Sequence, residues 1–151
     1  MLLAPDISDQ TFHVTVEREM QASPSAIYAA WTTGVDTWFA EPGRVRMRAE
    51  VGEPFVFQTR HEGKIYSHHG RFLSLAPDRL VEMTWVTGRG GTEGAETVVR
   101  MELSPLGEGS RVRLTHSGFY TEKTADRHRD AWPHVLAHLD ETIGKRGDQP
   151  A

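Results

Sequence analysis

The sequence predicts an α+β fold: a seven-stranded antiparallel sheet curled around one long C-terminal helix, with two short helices after the first strand. Three observations carry that expectation. From Thr121 to Ile143, the residues Trp132, Val135, Leu136, Leu139 and Ile143 fall on one helical stripe, spaced three, one, three and four apart. From Arg44 to Gly118 the apolar period changes to two, broken by turn residues at hairpin spacing. A helix and a sheet that each have one apolar face can satisfy each other by packing face to face.

In chain order, Met1 to Gln10 reads as a short, flexible polar leader. Phe12 to Met20 alternates, with Phe12, Val14, Val16, Arg18 and Met20 on one face, so it reads as a half-buried strand. Ser23-Pro24 then starts a helix, with a hydroxyl at the N-cap and proline at the first helical position. Its buried face is Ile27, Ala30 and Trp31, and Gly34 stops it. Val35, Trp38 and Phe39 form a second, shorter helical turn, ended by Pro42-Gly43. Six strands follow: Val45 to Val51, Pro54 to Arg60, Lys64 to Leu75, Leu80 to Thr87, Glu96 to Ser104 and Arg111 to Gly118. Gly88 to Gly94 is a glycine-rich hairpin tip rather than a phosphate loop, because it joins two strands and lacks the lysine-serine/threonine ending. In the closing helix Pro133 predicts a kink, or a fresh start with Asp130 as N-cap. Gly144 is its expected stop. The expected organisation is one domain over 11–145, with a flexible tail at 146–151.

Composition narrows the function classes. The chain has 151 residues, 38% apolar content and a net charge of −4. The mild acidity and scattered arginines argue against nucleic acid. Cysteine is absent, which excludes disulfides, thiolate metal sites and cysteine nucleophiles. No apolar run reaches membrane-spanning length and the start is not that of a signal peptide, so a cytoplasmic location is expected. Arginine outnumbers lysine and asparagine is absent, which points to a GC-rich bacterial genome.

The segment Val14–Phe39 (VTVEREMQASPSAIYAAWTTGVDTWF) resembles the opening of the START-like, or SRPBCC, superfamily. The branch it resembles is that of the C-terminal domain of heat-shock chaperone ATPase activators. The segment Gly70–Trp85 (GRFLSLAPDRLVEMTW), the strand Glu96–Leu103 and the closing AWPHVLAHLDETI match the same branch. The resemblance implies the helix-grip fold. It does not single out a role, since the superfamily holds lipid carriers, hormone receptors, aromatase/cyclases and chaperone regulators. The link from Trp31 to Trp38-Phe39 is shorter than usual for the branch. The additional N-terminal domain of full-length chaperone activators has no counterpart in these residues, so chaperone activation does not follow.

The grip of a sheet around one helix leaves a cavity at its mouth, and such cavities bind small, mostly apolar molecules. The expected walls are Phe57, Trp85, Val99 and Met101, with Trp31 and Phe39 at the mouth and Trp132 on the helix. The tryptophans also serve as core packing. His116 alternates with Val112 and Leu114 and points inward, either as a ligand contact or as a histidine paired within the core. Arg18, on the apolar face of the first strand, needs a partner: a ligand anion or a structural carboxylate. His68 and His69 are adjacent on one strand, so one faces in. The face Tyr66, His68, Gly70, Phe72 puts His68 in the cavity, and a bulge at Gly70 would reverse the choice. His134 and His138 lie one helical turn apart with Glu141 beyond, but lack the intervening glutamate of HExxH, so no metal is assigned.

Binding of a small hydrophobic or aromatic ligand is therefore the leading expectation, with no cofactor, no catalytic residue, no nucleic acid and no membrane insertion. Two alternatives stay open. One is a polyketide cyclase- or isomerase-like enzyme in the same cavity, which would need a convergent acid–base pair. The other is a protein-interaction module acting on a chaperone. A homodimer also remains open.

Overall fold

The computed structural model describes residues 4–147. The first strand, β1, is Phe12–Met20, followed by helix α1, Pro24–Trp31, and a 3-10 turn at Val35–Thr37. The remaining strands are β2 (Val45–Arg46), β3 (Pro54–His61), β4 (Lys64–Ala76), β5 (Leu80–Thr87), β6 (Thr97–Leu106) and β7 (Gly109–Phe119). The chain then forms helix α2, Glu122–Gly147. The strands make one seven-stranded antiparallel sheet in the order β1-β7-β6-β5-β4-β3-β2.

Local chemistry accounts for the element ends. Ser23 Oγ accepts the Ala26 N–H at 3.2 Å, and Pro24 opens α1 as expected. The β3–β4 hairpin turns on Glu62 and Gly63, at φ 50° and 79°, the two left-handed positions of a tight hairpin. Thr121 Oγ1 accepts the Thr124 N–H at 3.1 Å and caps α2.

Three expectations are corrected. The strand expected over Val45 to Val51 shrinks to Val45–Arg46, paired with Phe57 and Val56 of β3. Past Arg46 the chain leaves β3, and Gly52 donates its N–H to the Phe72 carbonyl of β4 instead. Second, α2 makes no fresh start at Asp130 and runs unbroken through Pro133. Arg129 and Pro133 are both exposed, so water can solvate the carbonyl that Pro133 leaves without a helical partner. Third, α2 passes the expected stop at Gly144. A Cβ there would meet Asp140 Oδ1 at 3.3 Å and the Gln21 side chain at 3.6 Å, so the glycine serves close approach. The tail beyond 147 lies outside the described residues.

The core fills the space between the sheet and the two helices. Trp132, Leu136, Leu139 and Ile143 of α2 are buried, as are Trp31 of α1 and Val14, Phe57, Trp85, Val99, Met101 and Leu114 of the sheet. The helix does not cover the sheet evenly. It packs chiefly on β1 and also touches β7 and α1. The far side, over β3, β4 and the end of β5, is where the opening lies.

Candidate functional site

The alternation of β4 places His68 between Phe57 of β3 and Thr87 of β5. The register from His68 to Phe72 is unbroken and shifts only between Phe72 and Ser74, so His68, Gly70 and Phe72 share the inner face and His69 is exposed. Gly70 has to be glycine, because a Cβ there would meet the Thr84 carbonyl oxygen at 2.1 Å. The imidazole of His68 is held at both nitrogens, Nδ1 at 2.7 Å from Thr87 Oγ1 and Nε2 at 2.9 Å from Thr59 Oγ1. Either tautomer is satisfied, since a threonine hydroxyl donates or accepts. Burial, with smaller contributions from His128 and His69, lowers its pKa to about 4, so the ring is neutral at pH 7.

Aromatic rings stack outward from His68. Phe39 lies 6.0 Å from it at 27°, 4.8 Å from Trp38 at 17° and 6.4 Å from Trp85 at 13°. Trp85 is 5.6 Å from Trp132 of α2. These rings line one side of a cleft of about 680 Å³ between α2 and the β3–β5 end of the sheet. Its floor includes Thr59, Tyr66, His68 and Thr87, and its rim Arg60, Arg127, Asp130, His134 and His138. Both rim arginines are ion-paired, Arg60 to Glu41 and Arg127 to Glu93. His138 donates Nε2–H to the Trp38 carbonyl at 2.8 Å, which ties α2 to the aromatic wall.

Residues 21–144 match the family model described as Activator of Hsp90 ATPase homolog 1-like protein. The chain belongs to this family. Solved structures show the corresponding AHSA1 fold, a helix grip of the START-like superfamily. A Mesorhizobium loti protein is 21% identical, with a TM-score of 0.72 over 91% of this chain and 100% of its own. The AHSA1 protein of Silicibacter pomeroyi is 22% identical, with a TM-score of 0.70 over 89% and 99%. The Aha1 dimer of Colwellia psychrerythraea is 23% identical, with a TM-score of 0.63 over 89% and 98%. No curated protein matches the chain.

Against this AHSA1 frame, the expected site residues divide. Phe39, His68, Trp85 and Trp132 line the cleft together. Trp31, Phe57, Val99 and Met101 do not line it; they are packed beneath as core, each almost wholly covered. His116 is fully buried below the cleft floor. The Trp132 indole N–H donates to its Nδ1 at 3.0 Å, and its own Nε2–H donates to Thr97 Oγ1 at 2.7 Å. Thr97 in turn donates to the Trp85 carbonyl. Every link of that relay is satisfied within the protein. Burial holds His116 well below the usual histidine pKa, with His128 adding to the effect, so it stays neutral.

Arg18 pairs with Asp140 of α2 at 3.6 Å, on the side of the sheet away from the cleft lining. Asp140 also accepts the Gln21 N–H at 2.9 Å. The structural-carboxylate alternative is the one observed for this arginine.

His128 is absent from the site expected from sequence, because helical spacing puts it outside the apolar stripe of α2. It is half-buried and lines the cleft, with its ring 4.9 Å from His116 and 4.7 Å from Phe119. The signal available in the sequence was its spacing to Trp132: one turn earlier, on the flank of the apolar stripe. Among the described residues no group of three or more His, Asp or Glu is placed to hold a metal, and no helix is long and apolar enough to cross a membrane.

Proposed function

We propose that this protein binds a small apolar or aromatic molecule in the cleft between α2 and the β3–β5 end of the sheet. The observation that carries the reading is the cleft itself: about 680 Å³, walled by Trp38, Phe39, Trp85 and Trp132, with polar groups on its floor and ion-paired arginines at its rim. That combination of volume, aromatic walls and polar groups that can orient a ligand is what small-molecule sites present. Burying about 300 Å² of ligand apolar surface at about 25 cal/mol/Å² contributes some 7 kcal/mol before association costs, which sets micromolar affinity as the ceiling. A cytoplasmic location and a single domain over 11–145 belong to this proposal.

Tryptophan fluorescence tests it, because three of the four tryptophans line the cleft. Titration with a panel of fatty acids, flavonoids and polyketide-like aromatics should quench or shift the emission for at least one class, saturably. No saturable change with any of them would overturn the binding reading. The second reading is protein interaction, as a homodimer or with a chaperone. It is favoured by the family's description and by the dimeric Colwellia relative. Sedimentation of the purified chain separates the two, since a stable dimer that closes over the cleft would exclude small ligands.

A further inference from the structure

His128 differs from His68 and His116, the two other histidines with lowered pKa values, in how its ring is committed. His68 and His116 use both ring nitrogens within the protein. In His128, Nδ1 lies 2.9 Å from the Thr124 carbonyl, one helical turn back. A carbonyl only accepts, so Nδ1 carries the hydrogen, and in the neutral ring Nε2 carries a bare lone pair. Burial lowers the pKa of this imidazole, and Arg127 adds to the effect against the opposing Thr124 hydrogen bond, so the ring is neutral at pH 7.

Nε2 has no hydrogen-bond partner among the described residues, and it is not sealed either. The side-chain nitrogens that are both sealed and unpaired there are Arg18 Nε and Trp31 Nε1. His128 lines the cleft with Trp85 and Trp132, and Nε2, neither paired nor sealed, is the polar atom this ring has to offer a molecule bound there. An uncharged acceptor repels a carboxylate and attracts an O–H. The flanking rings favour a flat partner.

We propose that His128 Nε2 reads a hydroxyl on the bound molecule, so the ligand class is a flat aromatic carrying a phenolic or enolic O–H. The inference rests on the cleft-binding reading above and sharpens it. A ligand lacking the hydroxyl would strip water from Nε2 and return nothing, which is how a polar group in an apolar site discriminates.

Isothermal titration of the purified full chain with 2-naphthol and with 2-methoxynaphthalene is the test. The two probes share a ring system and differ in the donor. The naphthol should bind about tenfold tighter, the worth of one semi-buried hydrogen bond. His128→Phe keeps a ring of similar shape, so the ether should still bind with similar affinity while the preference for naphthol disappears. A nitrogen NMR measurement on the unsubstituted protein keeps the proposal testable should that variant misfold. The His128 Nε2 resonance should move upfield with naphthol, whose hydroxyl is a stronger donor than water, and downfield with the ether, which removes water and donates nothing. Equal affinities for the two probes, a preference that survives in His128→Phe, or an unmoved resonance would overturn the role of His128 while leaving cleft binding intact. Failure of both probes to bind would instead count against the cleft reading itself, and the role of His128 would fall with it.

Discussion

His116 and His68 occupy equivalent local settings and have different surroundings. Both sit on the inner face of a strand, both lie beside Trp85, at 6.5 and 4.9 Å, and both have two hydrogen-bonded ring nitrogens. Over His116, α2 presses down and supplies the Trp132 indole, which seals the ring completely. Over His68 the helix stands off, and the ring borders the open cleft. Strand geometry brings a histidine inside; the cover above it decides whether it becomes a bond in the core or part of a binding surface.

The largest test of that contrast removes the cover. Trp132 and Leu136 are two of the large α2 side chains buried in the core, so Trp132→Ala and Leu136→Ala should each cost about 3–5 kcal/mol. Denaturant midpoints that barely move in both variants would show that α2 does not close the core. The next largest effect separates the two histidines. His116→Phe leaves the Trp132 N–H buried without a partner and should cost about 1–3 kcal/mol. His68→Phe takes a partner from the hydroxyls of Thr59 and Thr87, which are mostly buried but border the open cleft, so its cost should be smaller than that of His116→Phe. Equal losses in the two variants would erase the distinction between sealed and open ends.

Acid should weaken the protein before its carboxylates titrate. A histidine whose folded pKa is lowered binds fewer protons folded than unfolded, so stability is full above the unfolded value of about 6.5 and falls as pH drops below it. For His68 the loss runs from about 6.5 down to about 4. His116 and His128 act in the same direction. Each contributes a slope of at most about 1.4 kcal/mol per pH unit within its window. Chemical denaturation from pH 7 to 5 should show the decline, and His116→Phe should flatten it. A profile level across that range would mean that these rings take up protons in the fold as readily as in the unfolded chain.

The outline of this fold was legible because alternation and helical spacing are local signals: β1, α1, β5 and the stripe of α2 all follow from them. β2 was overread because Val45, Met47, Ala49 and Val51 alternate as a strand would, while the choice between β3 and a bond to Phe72 of β4 is tertiary. The cleft was half legible. Phe39, His68, Trp85 and Trp132 could be placed facing inward, but no sequence period reports how far a helix stands off a sheet. Phe57, Val99 and Met101 were therefore expected as cavity wall and lie packed as core beneath it. His128 was missed for the same reason, since a residue on the flank of an apolar stripe looks wet until an uneven docking turns that flank toward an opening.

Arg18 gives the smallest effect and checks the covered side. It is the one charge on the inner face of β1, and its side chain is 37% exposed while that of Asp140 is 10% exposed. At 3.6 Å and with that much solvent, the pair contributes little net stability. Arg18→Met also removes Nε, a buried donor without a partner, and supplies an apolar side chain of similar length against α2. Asp140 keeps the Gln21 N–H. These changes offset, so the unfolding free energy should shift by less than about 1 kcal/mol in either direction. Affinity for any cleft ligand should be unchanged, because Arg18 is not part of the lining. A loss beyond about 2 kcal/mol would mean that the ion pair pins α2 to β1, and the close packing of that side would then be electrostatic as well as apolar. A folded Arg18→Met protein that no longer bound ligand would move the site across the helix to its closely packed side.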